Sequence, residues 1–594
     1  MRIPGPAFAL ILLACMPTAE AAEAIHWQPW SPQVFAQAKA QHRFVLLDLE
    51  AVWCHWCHVM DEQTYADPKV IALMNQKYLA VKVDQDSDPG LSDRYGDWGW
   101  PATIVFAADG SEIVKRQGFM PPGNMASLLQ AIIDDPSPGP SVHPETPVRA
   151  ASTSALSVAA RKQLLATYLS GYDAKYGGWG DLDKYVDAYA VEYAFMAAAG
   201  DAAYAHMAQQ TLDAGRALID PVWGGVDQYS VSADWKTPHY EKIMSVQADY
   251  LRVYSEAYAR SHDSGHLAAA EAIHAYLDAF LRDPSGAFYV SQDADLSPDV
   301  DGGTYYALDA AARRKLGIPR VDTHVYAREN GWAVRALSTY YAATGDAVAL
   351  TEAAAAAHAI LVHQALPGGG YSHGEGSKAG PYLGDSLAMA DACLALYGAS
   401  GDRSWLAPAL KALDFIQLHF ADAHQGGYMT AQVAKGATGV FKDGVRLPEE
   451  NADLVRVAGL AYGYTGDLRY QRMAQHAMAY LASPALTGSG RFLPAALLAD
   501  AQMQSGPLHI TVVGHKDDPA AQALHAAALA YPAVYKQLDW WDKREGALPN
   551  SEVSYPELSR AAAFVCTGST CSSPIFDPAR LALTVERLTA VAHP

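Results

Sequence analysis

Residues 44–58 read FVLLDLEAVWCHWCH. The opening run is apolar apart from Asp48 and suits a short buried strand. Cys54 and Cys57 follow at a spacing that places both at the first turn of a helix starting there. A helix N-terminus offers unpaired N–H groups and partial positive charge, and these lower the pKa of an exposed thiol. Cys54 is therefore expected as the nucleophile and Cys57 as the buried resolving thiol. His55 lies between them, where an imidazole stabilises the Cys54 thiolate and favours the reduced form. Asp48, six residues before Cys54, is placed to relay the proton of the resolving thiol.

Outward from this stretch, residues 25–135 alternate strand and helix patterns. Further buried-strand runs fall at 79–83 (LAVKV) and 103–107 (TIVFA), with a helical pattern around 57–77. The order β-α-β, then two closing strands split by Asp109-Gly110, predicts an α/β domain. Pro101 precedes the strand TIVFA in a turn, where a cis bond brings backbone beside the disulfide to meet an extended substrate. VLLDLEAVWCHWC, VKVD and GWPATIVF resemble thioredoxin in order and spacing over about 90 residues. Three other readings compete. CHWCH satisfies the haem-attachment pattern CxxCH, but haem segments need neither the Asp48 strand nor the GWP turn. Cys54, His55, Cys57 and His58 are metal-ligand types, but neighbours on one turn cannot all converge on an ion. An inert structural disulfide is the third. No cofactor and no metal are expected.

The chain has 594 residues, 18% of them charged, and a net charge of −21 with no basic stretch. Nucleic acid and anionic membrane surfaces are thereby excluded as main partners, since both need a positive field. Residues 1–22 have a signal-peptide pattern: Arg2, the apolar run Ala7–Cys15, then small residues with cleavage near Ala21 or Ala22. Leu12 to Cys15 also resembles a lipoprotein processing site, with Leu at its less usual second position. No later stretch offers about 18 uncharged apolar residues, so no membrane span is expected in the mature chain. Export to the periplasm or beyond makes disulfides legitimate for Cys54–Cys57 and Cys566–Cys571, the latter closing a small loop. Cys393 reads as a buried thiol.

A proline-rich linker (136–150) leads into an internal repeat over about 151–505. Helices end in MAAAGD (196–201), YARSHD (258–263), YAATGD (341–346), YGASGD (397–402) and YGYTGD (462–467). Gly suits the left-handed residue after a helix, and the following Asp caps the next. Glycine pairs at 177, 224, 302, 368 and 426 mark the alternate loops. Two helices per unit, stacked to bury their apolar faces, predict an all-α (α/α)6 toroid, with an open solenoid as the alternative. Residues 506–594 return to α/β character, with strands at 508–514 and 561–566 and a final helix near 578–592.

The densest chemistry in the toroid lies at 223–250, with Asp227, Trp235, His239, Tyr240, Glu241 and Lys242. Aromatic faces beside paired carboxylates suit sugar binding and glycoside chemistry. A second acidic loop, 291–303, adds Asp293 and Asp295; Pro298 stands where a calcium loop requires a glycine turn. Asp385 and Glu449-Glu450-Asn451 fall in other inter-helix loops. For any single one of these residues, helix capping or a loop network is the competing role.

CHWCHVM, VKVD, GWP, WKTPHYEK, SQDAD and FVCTGSTCSSP together resemble the spermatogenesis-associated protein 20 family over nearly the whole mature chain. The resemblance implies a thioredoxin-like domain fused to a six-hairpin toroid similar to N-acylglucosamine 2-epimerases and glycosidases. It also implies Cys54 and Cys57 as redox pair and His239, Glu241 and Lys242 as toroid cavity residues. The sequence departs from the family at Ser245-Val246-Gln247, Asp183-Lys184-Tyr185-Val186 and Glu449-Glu450-Asn451. The expected function is thiol-disulfide exchange with protein clients, the toroid binding a client or glycan. The alternatives are a carbohydrate-active enzyme with an accessory thioredoxin domain, and a non-catalytic binding scaffold.

Overall fold

The computed structural model describes residues 24–143, 148–551, 553–567 and 570–592. The signal-like segment and Cys15 lie outside the described residues.

Five strands form the first sheet: β1 (Trp27–Gln28), β2 (Phe44–Glu50), β3 (Tyr78–Asp84), β4 (Ala102–Phe106) and β5 (Glu112–Gln117), in the order β1-β3-β2-β4-β5. β2 runs parallel to β3 and antiparallel to β4, and β4 and β5 form the hairpin marked by Asp109-Gly110. Helices α1 (Val34–Gln41), α2 (His55–Val59), α3 (Pro68–Lys77), α4 (Pro89–Tyr95) and α5 (Pro122–Asp134) surround it. β2 carries apolar side chains on both faces because it is covered on both. Leu46 packs with residues of α3 and α5, while Val45, Leu47 and Leu49 pack with residues of α1 and α4. This is the thioredoxin-like α/β arrangement.

The repeat closes into a ring. Inner helices Ala188–Ala197, Met244–Ser261, Ala327–Thr344, Leu383–Ser400, Pro448–Thr465 and Pro494–Ser505 pack each on the next, and the last on the first. Five outer helices follow their inner partners in sequence. The sixth, Val158–Ser170, comes first in the chain and pairs with the last inner helix. The two ends of the repeat thus complete one hairpin.

The repeat's punctuation has its physical basis in capping. Gly345, Gly401 and Gly466 are left-handed after their helices, and Asp346, Asp402 and Asp467 accept from the next helix's first N–H groups. In the degenerate copy His262 takes the left-handed position at φ 53°. MAAAGD departs from the pattern, since Gly200 has no positive φ while Asp201 still caps. One expectation is corrected. Gly302-Gly303 do not form a repeat loop but open a short helix, Gly302–Tyr306. The equivalent loop is Asp283–Phe288, where Gly286 supplies the turn and Arg282 bridges to Phe288. The matching bridges are Tyr172 to Trp179, Ile219 to Val226, Ala365 to Tyr371 and Ala421 to Tyr428.

The C-terminal sheet has the order Lys536–Trp541, Leu508–Val513, Ala562–Thr567, Thr570–Cys571. Its edge strand Lys536–Trp541 has three polar residues among its six, so no continuous apolar run marks it in the sequence. This sheet covers one end of the ring, where the Tyr397 hydroxyl donates to Asp539 at 2.8 Å and the Tyr535 hydroxyl to the Arg456 carbonyl at 3.2 Å.

The thioredoxin-like domain covers the end of the ring at which the inner helices begin. Phe441, from the ring, packs against Trp30, Phe35 and Phe106. Beside it the backbones of Gly110 and Gly439 touch. A Cβ on Gly439 would lie 1.9 Å from the Gly110 oxygen.

Candidate functional site

Cys54 caps α2 with extended backbone, its sulfur accepting from the Cys57 N–H at 3.1 Å. The two cysteines form a disulfide, as do Cys566 and Cys571, while Cys393 is a free, buried thiol. Trp53 anchors the turn through its indole N–H, which donates to Asp86 at 2.7 Å.

On β2, which leads into the Cys54 turn, Asp48 is buried. Its Oδ2 lies 3.2 Å from Lys82 Nζ, and its Oδ1 has no hydrogen-bond partner among the described residues. Lys82 is shared with Glu50 and Asp61, so it neutralises Asp48 only in part. Burial therefore dominates and pushes the Asp48 carboxyl up to about 7. Pro101 is buried, and its bond to Trp100 is cis.

The pair faces the ring. Cys54 is 4% exposed and Cys57 2%, and both pack with Trp53, Trp100 and the ring residue Ile243. His55 Nδ1 stands 2.6 Å from Asp295 Oδ2, and the His55 backbone N–H donates to Glu241 Oε1 at 3.5 Å. His58 Nε2 bonds the Val52 carbonyl at 3.1 Å and lies 3.6 Å from Asp293. Asp295 raises both imidazoles, His58 to about 9, against their burial. Asp295 itself is partly buried, yet bonds from His55 and His58 hold it well below the carboxylate range. Burial raises Asp293 to about 6.

The remaining sequence candidates are dispersed. Lys242 forms a buried ion pair with Asp227 and lies over Tyr306, on which Tyr240 stacks. His239 stacks on Tyr229 with Nδ1 3.6 Å from Glu241. Trp235 is buried, its indole donating to the Tyr176 carbonyl. Asp385 accepts from His373, whose other nitrogen bonds the Asp86 carbonyl at 2.6 Å across the domain boundary.

Within the ring lies a cavity of about 240 Å³ lined by Tyr189, Asp249, Arg328, Trp332, Glu450 and Asp453, among others. Of the sequence candidates, only the run beginning Glu449-Glu450 reaches it. Arg328, on its wall, is 3.9 Å from Asp93 of α4, so the thioredoxin-like domain borders the cavity. On its inner side Arg335 pairs with Asp391 at 2.5 Å, and Glu192 binds both Arg252 and Arg456. Sequence reasoning missed these five groups, although a signal existed for all but Glu192. Arg252, Arg335, Asp391 and Arg456 each stand eleven residues before the capping aspartates 263, 346, 402 and 467.

Comparison with known proteins bears on the two parts separately. A family model described as a protein of unknown function, DUF255 (Thioredox_DsbH), matches residues 17–133. Spermatogenesis-associated protein 20 of Mus musculus is 27% identical over 322 residues, 48% of this chain and 41% of its own length. The chain thus spans less than half the length of that relative. Thiol:disulfide interchange protein DsbD 1 of Pseudomonas aeruginosa is 40% identical over 81 residues, 13% of this chain and 14% of that protein. Among solved structures, a D-mannose isomerase covers 58% of this chain and 96% of its own at 16% identity and a TM-score of 0.44. The resemblance read from the motifs is thus found again: the chain is similar to spermatogenesis-associated protein 20, with a thioredoxin-like N-terminal part.

Proposed function

We propose that this chain is an exported thiol-disulfide oxidoreductase acting on protein thiols or disulfides through Cys54 and Cys57. The observation that carries this reading is the disulfide at the start of α2, backed by the buried, partly neutralised Asp48. The similarity of this part to a thiol:disulfide interchange protein agrees with it, and the signal-like residues 1–22 support export.

In the reducing direction the Cys54 thiolate attacks one sulfur of a client disulfide. A mixed disulfide forms, and one client thiolate leaves. Cys57 passes its proton to the Asp48 carboxylate and attacks the Cys54 sulfur, releasing the second client thiolate. The client gains two electrons, and the pair becomes the disulfide. A dithiol reductant must then restore it; the oxidising direction is the same sequence reversed. Because the ring buries the pair, exchange follows movement of the thioredoxin-like domain off the ring.

Exchange with a peptide disulfide, measured on the full chain, is expected to fall to background in Cys54→Ser. Undiminished exchange overturns the reading.

The ring cavity favours a second reading, in which the toroid binds a glycan. Trp332 and Tyr189 offer aromatic faces beside Asp249, Glu450 and Asp453. At about 240 Å³ it is smaller than sites that engulf a drug-sized ligand, roughly 300–1,000 Å³. Sugar turnover retained in Cys54→Ser and lost in Glu450→Gln would put this reading first.

A further inference from the structure

The helix that carries Cys57 presents two imidazoles to the ring. His55 and His58 are three residues apart and so share one helical face. The loop after strand Ser291–Gln292 brings Asp293 and Asp295 opposite them. One donor atom from each of His58, Asp293 and Asp295 lies within 4.8 Å of the others. His55 Nδ1 joins at 2.6 Å from Asp295 Oδ2.

Three features distinguish this cluster from an ordinary surface network. First, its carboxylates have no strong cation. Among the described residues, Asp293, Asp295 and the adjacent Glu241 form ion pairs only with His55, His58 and His239, and with no lysine or arginine. Second, Glu241 is 3% exposed and its Oε2 has no hydrogen-bond partner among the described residues, while its Oε1 faces the His55 backbone N–H. Third, the His58 Nε2 hydrogen bonds to the Val52 carbonyl, which leaves the Nδ1 lone pair 3.9 Å from Asp295. An imidazole that binds metal usually donates its other ring N–H in this way. The loop is also held in place: the Asp295 N–H donates to Asp293 Oδ1 at 3.0 Å, and the Gly302 N–H to Asp295 Oδ1 at 2.8 Å.

We propose that His55, His58, Asp293 and Asp295 form a binding site for a divalent transition-metal ion of the zinc class, which fastens the CxxC helix to the ring. Imidazole and carboxylate together are a zinc-type donor set. Ligand atoms about 2.0–2.1 Å from a tetrahedral ion stand roughly 3.3 Å apart. The observed separations from Asp295 Oδ2, 2.6 Å to His55 Nδ1 and 3.9 Å to His58 Nδ1, straddle that value, and Asp293 stands within 4.8 Å, so side-chain shifts complete the site. The ligands come from two distant segments, so the spacing of CHWCH alone does not contain the site. The disulfide sulfurs take no part.

The competing occupant is two protons, giving imidazolium ions paired with the carboxylates. Metal titration of the full-length, oxidised, chelator-stripped protein separates the two, and its result is independent of whether the pair exchanges with clients. Cobalt(II), followed by absorption and displaced by zinc(II), is expected to bind at one equivalent. Binding weakens about tenfold or more in Asp295→Asn and in His58→Gln. Zinc raises the melting temperature of the wild type and not of these variants. If either variant fails to fold, Asp293→Asn serves in its place. Asp61→Asn, in the other carboxylate group, which pairs with Lys82, leaves binding unchanged. No stoichiometric cobalt binding, or equal affinity in wild type and ligand variants, overturns the site.

Discussion

Asp48 shows how a single residue can be useful to chemistry and costly to the fold. Its carboxyl is raised from 3.8 to about 7 by burial that Lys82 offsets only in part. Because the folded value lies above the unfolded one, ionised Asp48 costs stability as pH rises above about 4, and the cost is complete above pH 7. Asp48→Asn is therefore expected to stabilise the protein, by at most about 4 kcal/mol at pH 8 and by much less at pH 5. The same variant slows resolution of the mixed disulfide. Denaturant unfolding at the two pH values checks the first effect, and an equal gain at both contradicts it. At this scale the sequence was most legible where the residues are adjacent. Cys54, Cys57, Asp48 and Pro101 lie within one domain on a familiar spacing. The bonds of His55 to Asp295 and of His373 to Asp86 join residues 240 and 287 positions apart, and no local pattern encodes them.

At the scale of elements, capping made the ring readable. The left-handed glycine and the capping aspartate are backbone requirements, so they recur in sequence wherever the turn recurs in space. The glycine pair at 302 misled because a glycine pair can also open a helix, given a capping residue such as Asp301. At Gly331 two inner helices approach closely. A Cβ on Gly331 would lie 2.6 Å from the Ala388 backbone of the next inner helix. Gly331→Ala is expected to lower stability by about 1–3 kcal/mol through overpacking, read as a fall in melting temperature. An unchanged melting temperature contradicts this packing. His373 makes a second element-scale contact. Despite its burial it is raised to about 9, by Asp385 and Glu329 and against Arg328. A raised imidazole contributes fully below its unfolded value near 6.5, and the contribution is lost as pH rises through 9. The wild type should lose up to about 3 kcal/mol between pH 7 and 10 at this site, and His373→Gln should not show that component. Melting curves across that range test it; parallel pH profiles contradict it.

For the whole molecule, the domain order could be read along the chain, but not that the redox pair faces inward. That arrangement rests on Phe441, the Gly110–Gly439 contact and Ile243, which lie far apart in sequence and look unremarkable singly. It predicts that the ring shields the disulfide. Ile243→Ser is expected to speed reduction by dithiothreitol about tenfold, equivalent to about 1.4 kcal/mol of lost apolar contact. A rate equal to the wild type means that the pair is reached without domain movement. The central claim is that Cys54 is the nucleophile of a working exchange centre. It is tested most directly by expressing the full chain as Cys57→Ser and resolving its mixed disulfides by mass spectrometry. The account predicts client proteins linked through Cys54 and absent from the Cys54→Ser/Cys57→Ser chain; a Cys57→Ser chain whose Cys54 carries no client contradicts it.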